Sequence, residues 1–304
     1  MPDDAQELSV HAGGVTLSGE RRGASGAGPL DGRRRPGRVN PVGGAGPVVL
    51  LHGLTATRRY VVMGSRALER SGHTVVAYDA RGHGRSSAAP DGAYGYEDLA
   101  ADLLAVLDAA GIGRALLAGA SMGAHTAMRL ALDHPERVAA LALITPAYEP
   151  SGSSSRAAAE LARWDALARG LREGGVEGFV CAYDLSGVPE TWRETIATVL
   201  RQRLAAHEHP DAVADALEAV PRSRPFEEMS ELAAIAVPTL VVASRDEADP
   251  EHPLAVGESY ARAIPGAELA VEDLAVPARS PIAWQGGQLS KLLIGLAARA
   301  DYGT

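Results

Sequence analysis

Short apolar runs recur along the chain, separated by longer stretches in which apolar residues return at helical spacing. The runs are Val48–Leu51, Thr74–Tyr78, Ala115–Ala118, Val138–Ile144, Thr239–Val242 and Glu268–Val271. Continuous apolar runs are typical of strands buried on both faces of a parallel sheet. In the stretch Tyr96–Ala110, residues such as Leu99, Leu103 and Leu107 fall on one helical face. Strand and helix therefore alternate, which predicts an α/β fold with a doubly wound, mostly parallel sheet.

The first 46 residues differ from this pattern. Leu8–Val10 and Val15–Leu17 flank Gly13-Gly14, which predicts a hairpin of two antiparallel strands. Residues 23–46 are rich in glycine, proline and arginine and contain little that could be buried. We expect a flexible loop over 23–46.

The alternation is also interrupted after the fourth run. Three helix-like segments follow one another there without a strand between them: Arg156–Arg172, Pro189–Ala206 and Asp211–Val220. We therefore predict two parts of one core, 1–147 and 237–304, with a helical cap insertion over 148–236. Such an insertion could cover the strand ends or form a dimerisation surface, and the pattern does not separate the two.

Composition narrows the class of protein. The chain has 304 residues, a formal charge of -9 and a single cysteine, Cys181. A net negative charge disfavours nucleic acid and anionic membranes as partners. The first residues lack the features of a secretory signal, and no Cys/His spacing resembles a zinc site. We expect a cytoplasmic protein that acts on a small molecule without a metal or a cofactor, and its oligomeric state stays open.

The strongest chemical signal is Gly119-Ala120-Ser121-Met122-Gly123, between a strand-like run and a helix-like stretch. A sharp turn from strand to helix strains its corner residue and exposes that residue's side chain, and it needs small residues two positions before and after. The free N–H groups at the start of the helix favour developing negative charge. Ser121 is therefore the predicted nucleophile.

A second signal is His52-Gly53-Leu54 at the end of the strand-like run Val48–Leu51. A backbone N–H that follows such a strand can turn toward the nucleophile and form half of an oxyanion hole. The predicted donors are the N–H groups of Leu54 and Met122. His52 itself is expected to have a structural hydrogen-bonding role.

Together with the segment Asp79-Ala80-Arg81-Gly82-His83-Gly84-Arg85-Ser86, these motifs resemble those of the α/β-hydrolase superfamily, in particular its members with a helical cap. The resemblance implies a catalytic acid after the strand at 239–243 and a histidine after the last strand. Asp249 in Asp-Pro-Glu-His-Pro is the preferred acid, and Asp246 and Glu247 are alternatives.

The expected histidine is missing from the sequence. Ala278-Arg279 stands where the superfamily typically has Gly-His, and no histidine follows His252. Arginine stays protonated near neutrality and cannot accept the proton of a serine. The substitutes to consider are His252, His125, His83, His207 and His209, for each of which a packing or surface role is the commoner one. His252 ranks first because it follows the same strand as the expected acid.

Three functions are compatible with these residues. The first is a serine hydrolase of a small ester, lactone or thioester that forms an acyl-enzyme on Ser121. The second is a non-hydrolytic lyase, cyclase or small-molecule binding protein that uses the same pocket, as the missing histidine would favour. The third, ranked last, is a non-catalytic protein that binds a partner through the insertion.

Overall fold

The computed structural model describes residues 5–23, 45–90, 92–150, 154–245, 252–272, 284 and 286–303. Its strands are β1 (Gln6–Ala12), β2 (Val15–Arg22), β3 (Val48–Leu51), β4 (Val75–Tyr78), β5 (Ala115–Ala120), β6 (Val138–Ile144), β7 (Thr239–Ala243) and β8 (Glu268–Val271). Its α-helices are α1 (Ala67–Arg70), α2 (Tyr96–Ala109), α3 (Met122–Asp133), α4 (Ser154–Ala182), α5 (Glu190–Leu204), α6 (Pro210–Ala219), α7 (Leu254–Ala263) and α8 (Gly286–Ala297). Short 3-10 turns lie at Arg58–Tyr60, Pro135–Arg137, Val220–Arg222 and Met229–Ala234.

The strands form one sheet in the order β1-β2-β4-β3-β5-β6-β7-β8. β2 pairs antiparallel with both β1 and β4, and every pair from β4 to β8 is parallel. The predicted mostly parallel sheet and the predicted hairpin are both confirmed. β5 lies near the middle of the sheet, so the residue that follows it meets the ends of β3 and β6.

Helices cover both faces of the sheet. One apolar cluster joins the sheet to α2, α3 and α7, for example through Leu103, Met128 and Tyr260. The other joins the opposite face to α1 and α8, for example through Leu68 and Leu293. Because strands covered on both faces bury every side chain, they have the continuous apolar sequence seen in β3 and β6, all of whose residues are buried.

Between β6 and β7 lie α4, α5 and α6, and the residues described there form no strand. We call residues 148–236 the helical insert. The helix α4 is interrupted at Gly175, whose φ of 58° and ψ of -146° are not helical. The insert has an apolar cluster of its own, which includes Leu171, Phe179, Leu200 and Leu217.

One prediction lies largely outside the described residues. The flexible loop expected over 23–46 falls mostly there. Within the described ranges, no helix is long and apolar enough to cross a membrane. The division into domains stays a prediction.

Candidate active site

Ser121 forms the corner between β5 and α3. Its φ of 49° and ψ of -113° are unusual for a residue other than glycine, and such a conformation costs about 1 to 3 kcal/mol. The Ser121 N–H donates to the Ile144 carbonyl at 2.9 Å, which continues the pairing of β5 with β6. The residue is half-buried, so its hydroxyl is not sealed in the core.

The two glycines of the motif allow the close approach that this corner requires. A Cβ atom at Gly119 would overlap the Gly123 carbonyl, and one at Gly123 would overlap the Leu51 carbonyl. A larger residue at either position would push α3 away from the sheet and move Ser121.

His252 lies beside the serine. It belongs to the segment between β7 and α7, and its Nε2 atom is 3.0 Å from the Ser121 Oγ atom. A neutral imidazole at this distance can accept the serine proton, which is the geometry that a general base requires. Of the substitute histidines considered from the sequence, His252 is the one that the structure brings within hydrogen-bonding distance of Ser121.

His125, one helical turn beyond Ser121, has a structural role. Its Nε2 atom accepts the N–H groups of Ala147 and Tyr148, both at 3.2 Å. Its Nδ1 atom is 3.1 Å from the Tyr96 hydroxyl. Both ring nitrogens are therefore engaged away from the serine, as its place in the helix packing predicted.

Three further histidines lie together under the loops that follow β3 and β4. His52 donates from Nδ1 to the Gly53 carbonyl at 2.8 Å and accepts the Ala80 N–H on Nε2 at 2.9 Å. The rings of His52 and His83 are 5.2 Å apart, and those of His83 and His207 are 5.5 Å apart. All three are buried, and the structural role expected of His52 is confirmed.

Burial of these imidazoles makes the fold sensitive to acid. It lowers the pKa of both His52 and His125 to about 3, because a buried site penalises the charged ring. Below about pH 6.5, each of these two imidazoles takes up a proton in the unfolded chain, whereas in the folded chain it stays neutral. The contribution of the two histidines to the free energy of unfolding is therefore fully present above about pH 6.5. It falls as the pH drops toward 3, by about 1.4 kcal/mol per pH unit for each histidine.

Urea unfolding between pH 7.5 and 5 measures this loss. In the variant His125→Gln, the amide oxygen can still accept a backbone N–H. We expect the slope of the free energy of unfolding against pH to fall by about 1.4 kcal/mol per pH unit, which corresponds to the binding of one proton. An unchanged slope would contradict the assignment of that proton to His125.

The loop that carries the predicted donor Leu54 lies beside the serine. Gly53 is so close that a Cβ atom there would lie 3.4 Å from the Ser121 Cβ atom. The hydrogen bond from His52 to the Gly53 carbonyl fixes the peptide group whose N–H belongs to Leu54. Within the described ranges, no hydrogen bond uses the N–H of Leu54 or Met122. The use of these N–H groups in catalysis stays a prediction.

Other predicted positions lie outside the described residues: Asp246, Glu247, Asp249 and the pair Ala278-Arg279. Trp284 is described, and its Nε1–H donates to the Ala243 carbonyl at the end of β7 at 3.0 Å. Among the described residues, no group of three or more His, Cys, Asp or Glu side chains could hold a metal ion.

Sequence reasoning missed the contacts that two residues of the insert make with the loop after β3. Arg203 donates to the Leu54 carbonyl at 3.1 Å and to the Thr55 hydroxyl at 3.0 Å. His207, treated above only as a substitute base, donates from Nε2 to the Thr55 carbonyl at 2.9 Å. No motif marks either residue. The only signal in the sequence was the pair of histidines, His207 and His209, directly after the predicted helix Pro189–Ala206.

Comparison with known proteins agrees with this architecture. The family described as "alpha/beta hydrolase fold" matches residues 46–273. The protein named "Putative carbamate hydrolase RutD" of Variovorax paradoxus (strain S110) is 35% identical over 203 residues, which are 66% of this chain and 74% of that protein.

Two solved structures are similar over almost the whole chain. The enol-lactonase from Burkholderia xenovorans LB400 has a TM-score of 0.69 at 24% identity and covers 96% of this chain and 100% of its own. Est816, described as an N-acyl homoserine lactone degrading enzyme, has a TM-score of 0.67 at 26% identity and covers 95% of this chain and 99% of its own. These likenesses agree with the fold class predicted from the sequence.

Proposed function

Because the chain belongs to the α/β-hydrolase fold family, we propose that it is a serine hydrolase of small esters, lactones or thioesters, with Ser121 as nucleophile and His252 as general base. The observation that carries the proposal is the 3.0 Å distance between His252 Nε2 and Ser121 Oγ. A histidine supplied by the segment after β7 would replace the one that the superfamily takes from the loop after the last strand.

The proposed reaction follows from these positions. Ser121 Oγ attacks the carbonyl carbon of the substrate while its proton passes to His252 Nε2. The negative charge that develops on the carbonyl oxygen is stabilised by the N–H groups of Leu54 and Met122. The intermediate collapses, the alcohol or thiol leaves with the proton from His252, and an acyl-enzyme remains on Ser121. His252 then removes a proton from a water molecule as that water attacks the acyl carbon. The bond between the acyl carbon and Ser121 Oγ breaks, the carboxylic acid leaves, and the proton on His252 returns to Ser121 Oγ.

Asp249 is the proposed acid partner of His252. To accept the serine proton on Nε2, the ring must carry its other proton on Nδ1, and a carboxylate that accepts a hydrogen bond from this Nδ1–H holds the ring in the required tautomer. Asp249 precedes His252 by three residues in the Asp-Pro-Glu-His-Pro segment. Asp246 and Glu247 are the alternatives, and alanine variants of all three distinguish them by their loss of kcat.

The helical insert is proposed to act as a cap over this site. Leu54 packs against the insert's apolar cluster, and Met122 packs in a cluster with Ala212 and Ala216 of α6. Apolar walls of this type suit a small substrate with few polar groups. The names of the similar proteins mention carbamates and lactones, so both classes belong in the substrate panel with simple esters.

The alternative of a non-hydrolytic protein drew its main support from the absence of a base. The position of His252 removes that support, because it supplies an imidazole beside the nucleophile. We therefore prefer hydrolysis.

Labelling with a fluorophosphonate tests the proposal. Ser121 Oγ attacks phosphorus, fluoride leaves, and the serine proton passes to His252. We expect wild-type protein to be labelled at Ser121, and Ser121→Ala to show no labelling and no hydrolysis of p-nitrophenyl acetate. Ser230→Ala, which changes an exposed serine, is the matched control. Failure to label the wild-type protein would overturn the proposal.

A further inference from the structure

The loop that carries the proposed donor Leu54 contains a strained turn. The Ala56 N–H donates to the Gly53 carbonyl at 3.0 Å, which closes a four-residue turn with Leu54 and Thr55 at its centre. Thr55 has a φ of 66°. A turn with positive φ at its third residue is of type II and strongly favours glycine there.

Threonine is a poor residue for this position. Its branched Cβ makes positive φ unfavourable, and a conformation of this kind costs about 1 to 3 kcal/mol. Such strain persists only where surrounding contacts hold the backbone. We therefore asked which contacts hold this turn.

The contacts come mainly from the helical insert, from Arg203 near the end of α5 and from His207 just after that helix. Arg203 Nη2 donates to the Leu54 carbonyl and the Thr55 hydroxyl, and the His207 Nε2–H donates to the Thr55 carbonyl. His207 is itself fixed, because its Nδ1 atom accepts the Gly84 N–H at 2.8 Å. From the core, the Thr55 N–H points to His83 Nε2 at a longer 3.4 Å.

We propose that Arg203 and His207 are positioning residues, which hold the strained turn so that the Leu54 N–H faces the carbonyl oxygen of a substrate bound to Ser121. The proposal rests on the proposed function, since it assigns a role within the same site. It means that the insert determines the geometry of the oxyanion hole as well as covering the site. Neither residue touches the substrate in this account.

The proposal predicts a particular kinetic effect. Loss of one oxyanion donor costs about 100- to 1000-fold in kcat, and loss of its support should cost less. We expect Arg203→Met to lower kcat on p-nitrophenyl acetate by about 10- to 100-fold. KM should change less than about threefold, because the ground-state carbonyl gains little from the donor.

A second substitution separates positioning from other roles of Arg203. Thr55→Gly relieves the strain, because glycine adopts positive φ without penalty. We expect the double variant Arg203→Met/Thr55→Gly to have a kcat at least about tenfold higher than that of Arg203→Met alone, since the turn then needs less support. Arg201→Met is the matched control, because Arg201 lies on the same helix but binds Glu177 at the surface, and it should leave kcat unchanged.

The outcomes distinguish this proposal from the proposed function. If the wild-type protein is not labelled by the fluorophosphonate, the proposed function fails. If the wild-type protein is labelled and active, and Arg203→Met keeps its kcat, the positioning role is overturned. It is equally overturned if Thr55→Gly restores nothing. Should Arg203→Met not fold, as judged by circular dichroism, the same cycle is run with Arg203→Lys, which keeps the charge but loses the forked donor.

Discussion

Replacing His252 with alanine lowers kcat for p-nitrophenyl acetate by about 10⁴- to 10⁶-fold, the range expected when the base of a serine hydrolase is removed. The reason is that the hydroxyl of Ser121 is a weak nucleophile unless a neighbour takes its proton as the bond to carbon forms. His252 Nε2 is the acceptor found at 3.0 Å. The change is measured by steady-state hydrolysis with purified, folded protein.

His209→Ala is the matched control for this effect. His209 is exposed and precedes α6, where its side chain makes no capping hydrogen bond. Its removal should leave kcat unchanged within about twofold, because a surface substitution away from the site disturbs little. If His252→Ala retained a tenth or more of the wild-type kcat, His252 would not be the base.

We expect the replacement of Asp102 with alanine to lower the free energy of unfolding by about 3 to 5 kcal/mol. Asp102 and Arg81 are 1% and 2% exposed. The Nε and Nη2 atoms of Arg81 donate to the two carboxylate oxygens at 2.7 and 2.8 Å. Without the carboxylate, the Arg81 guanidinium is left buried without its main counter-charge. Urea unfolding at pH 7.5 measures the loss.

A more exposed arginine–aspartate pair, joined by one hydrogen bond, provides the control. Arg129 Nε donates to Asp133 Oδ2 at 2.7 Å, and the side chains of Arg129 and Asp133 are 28% and 40% exposed. Asp133→Ala should cost less than about 1 kcal/mol, because water solvates the arginine that remains. Equal losses in the two variants would show that burial does not determine the effect at Asp102.

Much of the fold was predictable from the sequence because strands buried on both faces need continuous apolar residues. β3 and β6 have the predicted bounds, whereas β5 extends two residues further, to Ala120. The extension carries the pairing of β5 with β6 up to Ala120 itself, and Ser121 comes next. The three helices of the insert were also found from their spacing, although α4 continues beyond the predicted end at Arg172 to Ala182.

The site was predictable only in part. The position of Ser121 follows from local sequence, since small residues at fixed positions are a requirement of the sharp turn. His252 could be ranked first because it follows the same strand as the expected acid, β7, whose carboxyl end lies at the same edge of the sheet as that of β5. Its contact with the serine depends on the path of a segment that has no regular pattern, so the distance could not be inferred.

The contacts of the insert with the loop after β3 could not be inferred at all. Arg203 and His207 are separated from Leu54 and Thr55 by about 150 positions, and no motif links these sequences. Such contacts arise from the packing of whole elements, which periodicity does not specify. The positive φ of Thr55 was equally hidden, because threonine is a residue from which this conformation is not expected.

The rate at which the fluorophosphonate labels Ser121 tests the central claim most directly, since it isolates the attack of the serine from later steps. The account predicts that His252→Ala slows this rate by about a thousandfold or more. It also predicts that imidazole added to the solution restores part of the rate, while His209→Ala labels as fast as the wild-type protein. Labelling of His252→Ala at the wild-type rate would contradict the claim that His252 takes the proton of Ser121.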